Sequence, residues 1–195
     1  LSNVVIQSSL NSFDDPVLVA GSAASANIES FVYVSMNAFH QAAISFVGQN
    51  YGAAKCERVD KVAWQCVLYS VLAGLIFGNL AYLLGAPLAG IYAPGEPDVV
   101  AQALIRMSFI CCPYFICGIM DTLVGVLRGL GSSVIPMVTS IVGACGLRLI
   151  WIATVFQTHH TTDMLYITYP VSWLITLAAH VITFMFVYRR INGKR

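Results

Sequence analysis

Four ionisable side chains stand inside otherwise apolar runs: Glu29, Arg106, Asp121 and Arg148. At the centre of a membrane-spanning helix an Asp, Lys or Arg costs roughly 2.5–3.5 kcal/mol, so each such residue calls for a partner or a function. Glu29 is followed by Tyr33, Met36, Asn37 and His40 at +4, +7, +8 and +11, which puts all five on one side of a helix. A stripe of this composition does not face lipid; it faces a protein interior or a wet cavity. Asn3, Gln7 and Asn11 repeat the pattern at i, i+4 and i+8. Two polar stripes on neighbouring helices point to one shared cavity, in which Glu29 is the group able to hold a proton or a cation. The amides serve equally well as hydrogen bonds that only hold helices together.

Arg148 lies 17 residues beyond Gly131, and Glu29 lies 19 residues before Gly48. At a rise of about 1.5 Å per residue, both sit roughly 26–28 Å from the same side. That match in depth makes Arg148 the candidate charge partner of Glu29. Asp121 lies seven residues before Arg128, about 10 Å in, with Tyr114 and Cys117 on its face. It either binds a cation or caps a vestibule. Arg106, two turns into its helix, is expected to reach out to the interface. His40 shares the Glu29 face and is a candidate for a proton relay, while His180 is expected to pack or hydrogen-bond. His159 and His160 are adjacent and point apart, so no metal site is expected there.

The elements that carry these residues are apolar helices. Of the 195 residues 58% are apolar and only 10% charged, against about 25% charged in soluble domains. Residues 30–54, 62–95 and 164–188 contain no Asp, Glu, Lys or Arg, and about 20 apolar residues suffice to cross the hydrocarbon. The reading is an all-α, polytopic transmembrane bundle embedded in the lipid bilayer. Six helices are expected: a truncated first one over 1–13, then 17–47, 62–86, 98–127, 134–156 and 164–190. Gly48 to Gly52 reads as a break, Asp98 as a helix cap, and Pro113 and Pro170 as kinks that neighbouring helices tolerate. Residues 1–190 form one lobe and 191–195 a basic tail. Leu1 opens in mid-segment with no basic region before it, so the chain is expected to be a piece of a longer protein.

Loop charges set the expected orientation. Lys55, Arg58, Lys61, Arg128, Arg189, Arg190, Lys194 and Arg195 fall on one side; Asp14, Asp15, Glu96, Asp98 and Asp163 fall on the other, with no Lys or Arg in those loops. The positive side, with the C-terminus, is expected to be cytoplasmic, and the chain to be multi-pass in the cell membrane. A net charge of +1 offers no basic face for nucleic acid. Six cysteines form no CxxC pair, which implies neither zinc nor a disulfide framework. No nucleophile–base arrangement, phosphate-cradling loop or carboxylate pair is present, so no enzyme is expected.

Two stretches carry a resemblance. FVGQNYGAAKCER, residues 46–58, closes the second helix; GVLRGLGSSVIPM and GLRLIW cover residues 125–137 and 146–151. Their order, spacing and six-helix frame resemble the second half of the multidrug and toxic compound extrusion (MATE) family, over nearly the whole chain. The resemblance implies twelve helices in two lobes around a central cavity, with this chain supplying helices seven to twelve and an N-terminal lobe missing. It implies a secondary antiporter that exports drugs, toxins or metabolites, organic cations foremost, in exchange for Na⁺ or H⁺ and with no other cofactor. It supports Glu29 and the first-helix amides as cavity residues. Some members carry the helix-ten acid about one turn before Asp121, where this chain has Cys117-Gly118. A lipid-linked oligosaccharide flippase of the same superfamily, with a more basic cavity, is the nearest alternative. A non-transporting scaffold or half-lobe partner is the other.

Overall fold

The computed structural model describes residues Ser2–Asn192, the side chains of residues 2, 3 and 190–192 excepted. The described residues are helical with short turns and no strand. Helix α1 spans Ser2–Asn11, α2 Pro16–Gly52, α3 Cys56–Leu83, α4 Gly85–Tyr92, α5 Pro97–Ile110 and α6 Tyr114–Gly129. Helix α7, Val134–Ser140, passes through a π-helical turn, Ile141–Gly146, into α8, Leu147–Ala153, and α9, Val155–Thr158. Helices α10, Thr162–Tyr166, and α11, Thr168–Asn192, complete the chain. Helix α11 enters the segment read as a tail, and residues 193–195 lie outside the described residues.

Proline sets three of the interruptions, because it offers no N–H to the carbonyl four residues back. Pro87, Pro113 and Pro170 would have bonded Leu83, Phe109 and Tyr166. Helices α3, α5 and α10 end at or within one residue of those positions. Helices α5 and α6 meet at 51° and count together as one broken span. Where proline opens a helix it stabilises instead: Pro16 begins α2, and Asp15 caps it, its Oδ1 accepting from the Val17 and Leu18 amides at 2.9 and 3.3 Å.

Four helical stretches among the described residues are long and apolar enough to cross a membrane, and the bent pair makes five; α1 stands beside them as a ten-residue helix. The number six is therefore an approximate description of the bundle. Two sequence expectations are corrected. Gly48 to Gly52 do not break α2, which continues to Gly52 and turns only at Ala53 and Ala54; glycine weakens a helix but keeps its N–H. Helix α5 starts at Pro97 after Glu96, so Asp98 lies in its first turn and does not cap it.

Helix α2 is the axis of the bundle, packed on α3, α5 and α6, while α6 packs also on α3 and α11. At 37 residues it is about 55 Å long, well beyond the hydrocarbon thickness. Side-chain distribution is the reverse of a soluble domain. Trp64, Leu83, Ile91, Val134, Val142, Ile150 and Phe186 face outward, whereas Ser22, Ser25, Glu29, Arg106 and Arg148 are buried. Such an arrangement suits a bilayer as solvent.

Candidate functional site

Inside the bundle, two polar clusters sit one above the other along α2. The first surrounds Glu29. Arg106 on α5 donates from Nε to Glu29 Oε1 at 3.0 Å and from Nη2 to Oε2 at 3.1 Å, a two-pronged pair. Its Nη1 donates to Ser22 Oγ at 2.6 Å, and Ser25 Oγ donates to Glu29 Oε1 at 2.6 Å. Both charged side chains are buried. The Arg106 guanidinium also stands over the rings of Tyr166 and Tyr169, at 5.8 and 5.6 Å.

Two expectations are corrected here. Arg106 does not reach the interface, and the guanidinium bonded to Glu29 is Arg106 rather than Arg148. Arg106 can take this place because α5 packs closely on α2 at Gly21, where any Cβ would meet the Val99 carbonyl and the Gln102 side chain. Arg148 lies nearby in the same cavity wall. Its Nε donates to Ser172 Oγ at 3.0 Å and its guanidinium stacks on Tyr169 at 4.4 Å. The π turn just before α8 offsets the helical register ahead of Arg148; such turns recur at functional sites.

The second cluster surrounds Asp121 on α6. Tyr33 Oη and Asn37 Nδ2 each donate to Asp121 Oδ2 at 3.3 Å, and Asn37 Nδ2 also donates to Tyr33 Oη at 3.2 Å. His40 Nδ1 lies 2.6 Å from the Asp121 main-chain carbonyl and 3.7 Å from its Oδ1. A carbonyl oxygen only accepts, so this ring nitrogen carries the proton and donates. The close approach of α6 to α2 depends on Gly125, where a Cβ would stand 2.6 Å from the His40 carbonyl oxygen.

A cavity of about 420 Å³ lies against the first cluster and touches the second at Tyr33. Gln7 from α1, Glu29 and Tyr33 from α2, Arg106 from α5, Tyr114 and Cys117 from α6, Arg148 from α8, and Tyr169 and Trp173 from α11 line it. Thus the structure brings Glu29, Tyr33, Gln7 and Arg148 together in one wall, with Asn37, His40 and Asp121 linked to it through Tyr33. Asn11 is exposed beside the turn into α2 and is not among the cavity-lining residues. The Asn3 side chain lies outside the described residues.

Sequence reasoning missed Ser22, Ser25, Tyr169 and Trp173. The serines had a signal: with Glu29 they fall at i, i+3 and i+7, one face of an apolar helix. Tyr169 and Trp173 gave none, since aromatic residues at helical spacing read as core. Away from this site, His180 is buried with Nε2 3.1 Å from Ser140 Oγ. His160 packs between Phe13 and Phe156, each at 4.5 Å. Among the described residues no group of three His, Cys, Asp or Glu could hold a metal.

This polar interior within apolar spans has relatives. The MatE family matches residues 1–154. A relative described as a probable multidrug resistance protein NorM, from Thermotoga maritima, is 26% identical over 155 residues. The match takes in 76% of this chain and 33% of the relative, so the chain spans about a third of that relative's length. A family match over residues 1–154, on a bundle of apolar spans with Glu29, Arg106 and Arg148 buried inside, settles the kinship: this multi-pass membrane chain belongs to the MatE family.

Proposed function

We propose that the chain is one lobe of an exporter of drugs, toxins or metabolites that trades its cargo for Na⁺ or H⁺, and that Asp121 is the carboxylate that takes the coupling cation. One observation carries this reading: the two acids inside the bundle, Glu29 and Asp121, have different partners. Glu29 is held by a guanidinium at both oxygens. A cation would have to displace Arg106 to reach it. Asp121 is bonded by the neutral Tyr33 and Asn37, and its side chain keeps 24% of its exposure. In a low-dielectric interior, a carboxylate without a guanidinium or ammonium gains most from binding a cation. Glu29 thus passes from the expected coupling residue to a structural member of the wall.

Tyr33 is the mechanical link, since its hydroxyl bonds Asp121 while the residue lines the cavity. A cation on Asp121 changes what Tyr33 can bond, and so the wall that cargo meets. Two lobes rocking about a shared cavity would expose it to one side at a time. Coupling requires that cation and cargo prefer different states. The similarity to a protein named for multidrug resistance supports transport over an enzymatic role. The charged loops support a C-terminus facing the cytoplasm of the cell membrane, and the one-third coverage supports a missing N-terminal lobe. A cavity of about 420 Å³ is of a size that suits a small molecule.

The test is dye efflux from cells producing the full-length protein, using one anionic and one cationic reporter so that cargo charge does not decide the outcome. Asp121→Asn should abolish efflux while the protein still purifies as a folded species. Full efflux by that variant would remove Asp121 from coupling.

A further inference from the structure

We propose that the groove between α3, α6 and α11 holds one phospholipid whose head group carries a primary amine, with Asp60 as the acceptor of its ammonium. The groove encloses about 410 Å³. Helix α6 is its floor, and α3 and α11, each packed on α6, are its walls. Ile119 and Leu123 of α6, Trp64 of α3 and Phe184 of α11 give it an apolar lining. Asp60 and Tyr188 close one end, where the Tyr188 hydroxyl donates to Asp60 Oδ2 at 2.6 Å.

That end lies at head-group depth. Asp60 and Lys61 are the last charges before the charge-free run 62–95, and Arg189 is the first after the charge-free run 164–188. Trp64, one turn deeper and 70% exposed, is of the type enriched where hydrocarbon meets head groups. The groove also faces away from the central cavity. Ile119 and Leu123 share one face of α6, while Cys117, which lines that cavity, and Asp121 stand about half a turn from it. A second lobe placed across the cavity would leave this groove to lipid.

Charge selects the lipid. Asp60 is exposed, and the bond from Tyr188 is its carboxylate's one hydrogen bond among the described residues. A phenol hydroxyl is neutral, so the carboxylate keeps its charge. A purely anionic head group would bring its phosphate against that charge. A head group with both signs fits: the ammonium meets Asp60, and the phosphate meets Lys61 or Arg189, which are exposed and follow Asp60 and Tyr188 directly in sequence. A primary ammonium donates charge-assisted hydrogen bonds to a carboxylate, whereas a trimethylated one has no N–H to give. Phosphatidylethanolamine is thereby favoured over phosphatidylcholine, and an acyl chain fills the groove below it.

Quenching of Trp64 fluorescence by lipids brominated on an acyl chain is the test. The full-length protein is reconstituted in equal mixtures of phosphatidylethanolamine, phosphatidylcholine and phosphatidylglycerol, one of the three being brominated at a time. Trp64→Phe supplies the background from the other tryptophans. Phosphatidylethanolamine should show about two- to fivefold higher relative affinity than phosphatidylcholine, the range of one exposed ion pair, with its N,N-dimethyl derivative between them. Asp60→Asn keeps an acceptor for Tyr188 but no charge, and should bring the two lipids level; Asp60→Glu should keep their order. If Asp60→Asn fails to fold, the lipid series on the parent protein still decides. The proposal is overturned if phosphatidylcholine quenches as well as phosphatidylethanolamine, or if Asp60→Asn preserves the preference. Stronger quenching by phosphatidylglycerol would overturn it too, since the basic residues would then be gathering anionic lipid. So would the absence of quenching by all three, which would mean that protein covers the groove. None of these outcomes bears on the exporter reading, which the dye efflux decides separately.

Discussion

Removing one member of the Glu29–Arg106 pair should destabilise the protein far more than removing both. The pair is buried, and two hydrogen bonds join guanidinium to carboxylate while Ser22 and Ser25 add one each. Hydrogen bonds to charged groups contribute roughly 1.5–3 kcal/mol each. Arg106→Gln leaves Glu29 buried without its counter-charge, and breaking a buried pair in this way costs about 3–5 kcal/mol. Glu29→Gln strands Arg106 at a similar cost. The double variant strands no charge, because both amides are neutral. Its cost should fall well below the sum of the singles, a coupling of about 2–3 kcal/mol. Detergent-driven unfolding of the reconstituted full-length protein, followed by circular dichroism, measures all four corners of the cycle. Export provides the second readout: if Glu29 is structural, the double variant recovers transport that Glu29→Gln loses. Two singles that each cost under about 1 kcal/mol, or a double whose cost is their plain sum, would refute the reasoning.

Two further outcomes follow from the geometry. Gly125→Val should push α6 away from α2, because its Cβ would lie 2.6 Å from the His40 carbonyl; overpacking of this kind costs about 1–3 kcal/mol. The same variant should separate Asp121 from Tyr33 and lower export, measured by the unfolding and dye assays above. For orientation, in a cysteine-free background, a cysteine at Glu96 should react with an impermeant maleimide in intact cells, whereas one at Ser132 should react only after permeabilisation. Labelling of both positions from outside would reverse or discard the assigned topology.

The sequence by itself determined the membrane class, the approximate set of spans, the expected sidedness and the depth of each polar residue. Those properties depend on counting along one helix at a time, and composition and rise per residue govern them. Proline positions likewise marked where helices bend, since a missing N–H is a local fact. Depth brought Glu29 level with Arg148 as a candidate charge pair; the two do not bond each other, though both line one cavity. What depth could not supply was azimuth. Depth pointed to Arg148 and sent Arg106 to the interface, and only the packing of α5 on α2 put Arg106 against the Glu29 carboxylate. That choice then reassigned the rest: it gave Glu29 a counter-charge and left Asp121 as the acid bonded by neutral groups. A pairwise contact between helices distant in sequence is set by how their surfaces interlock, and no single-helix pattern contains that information.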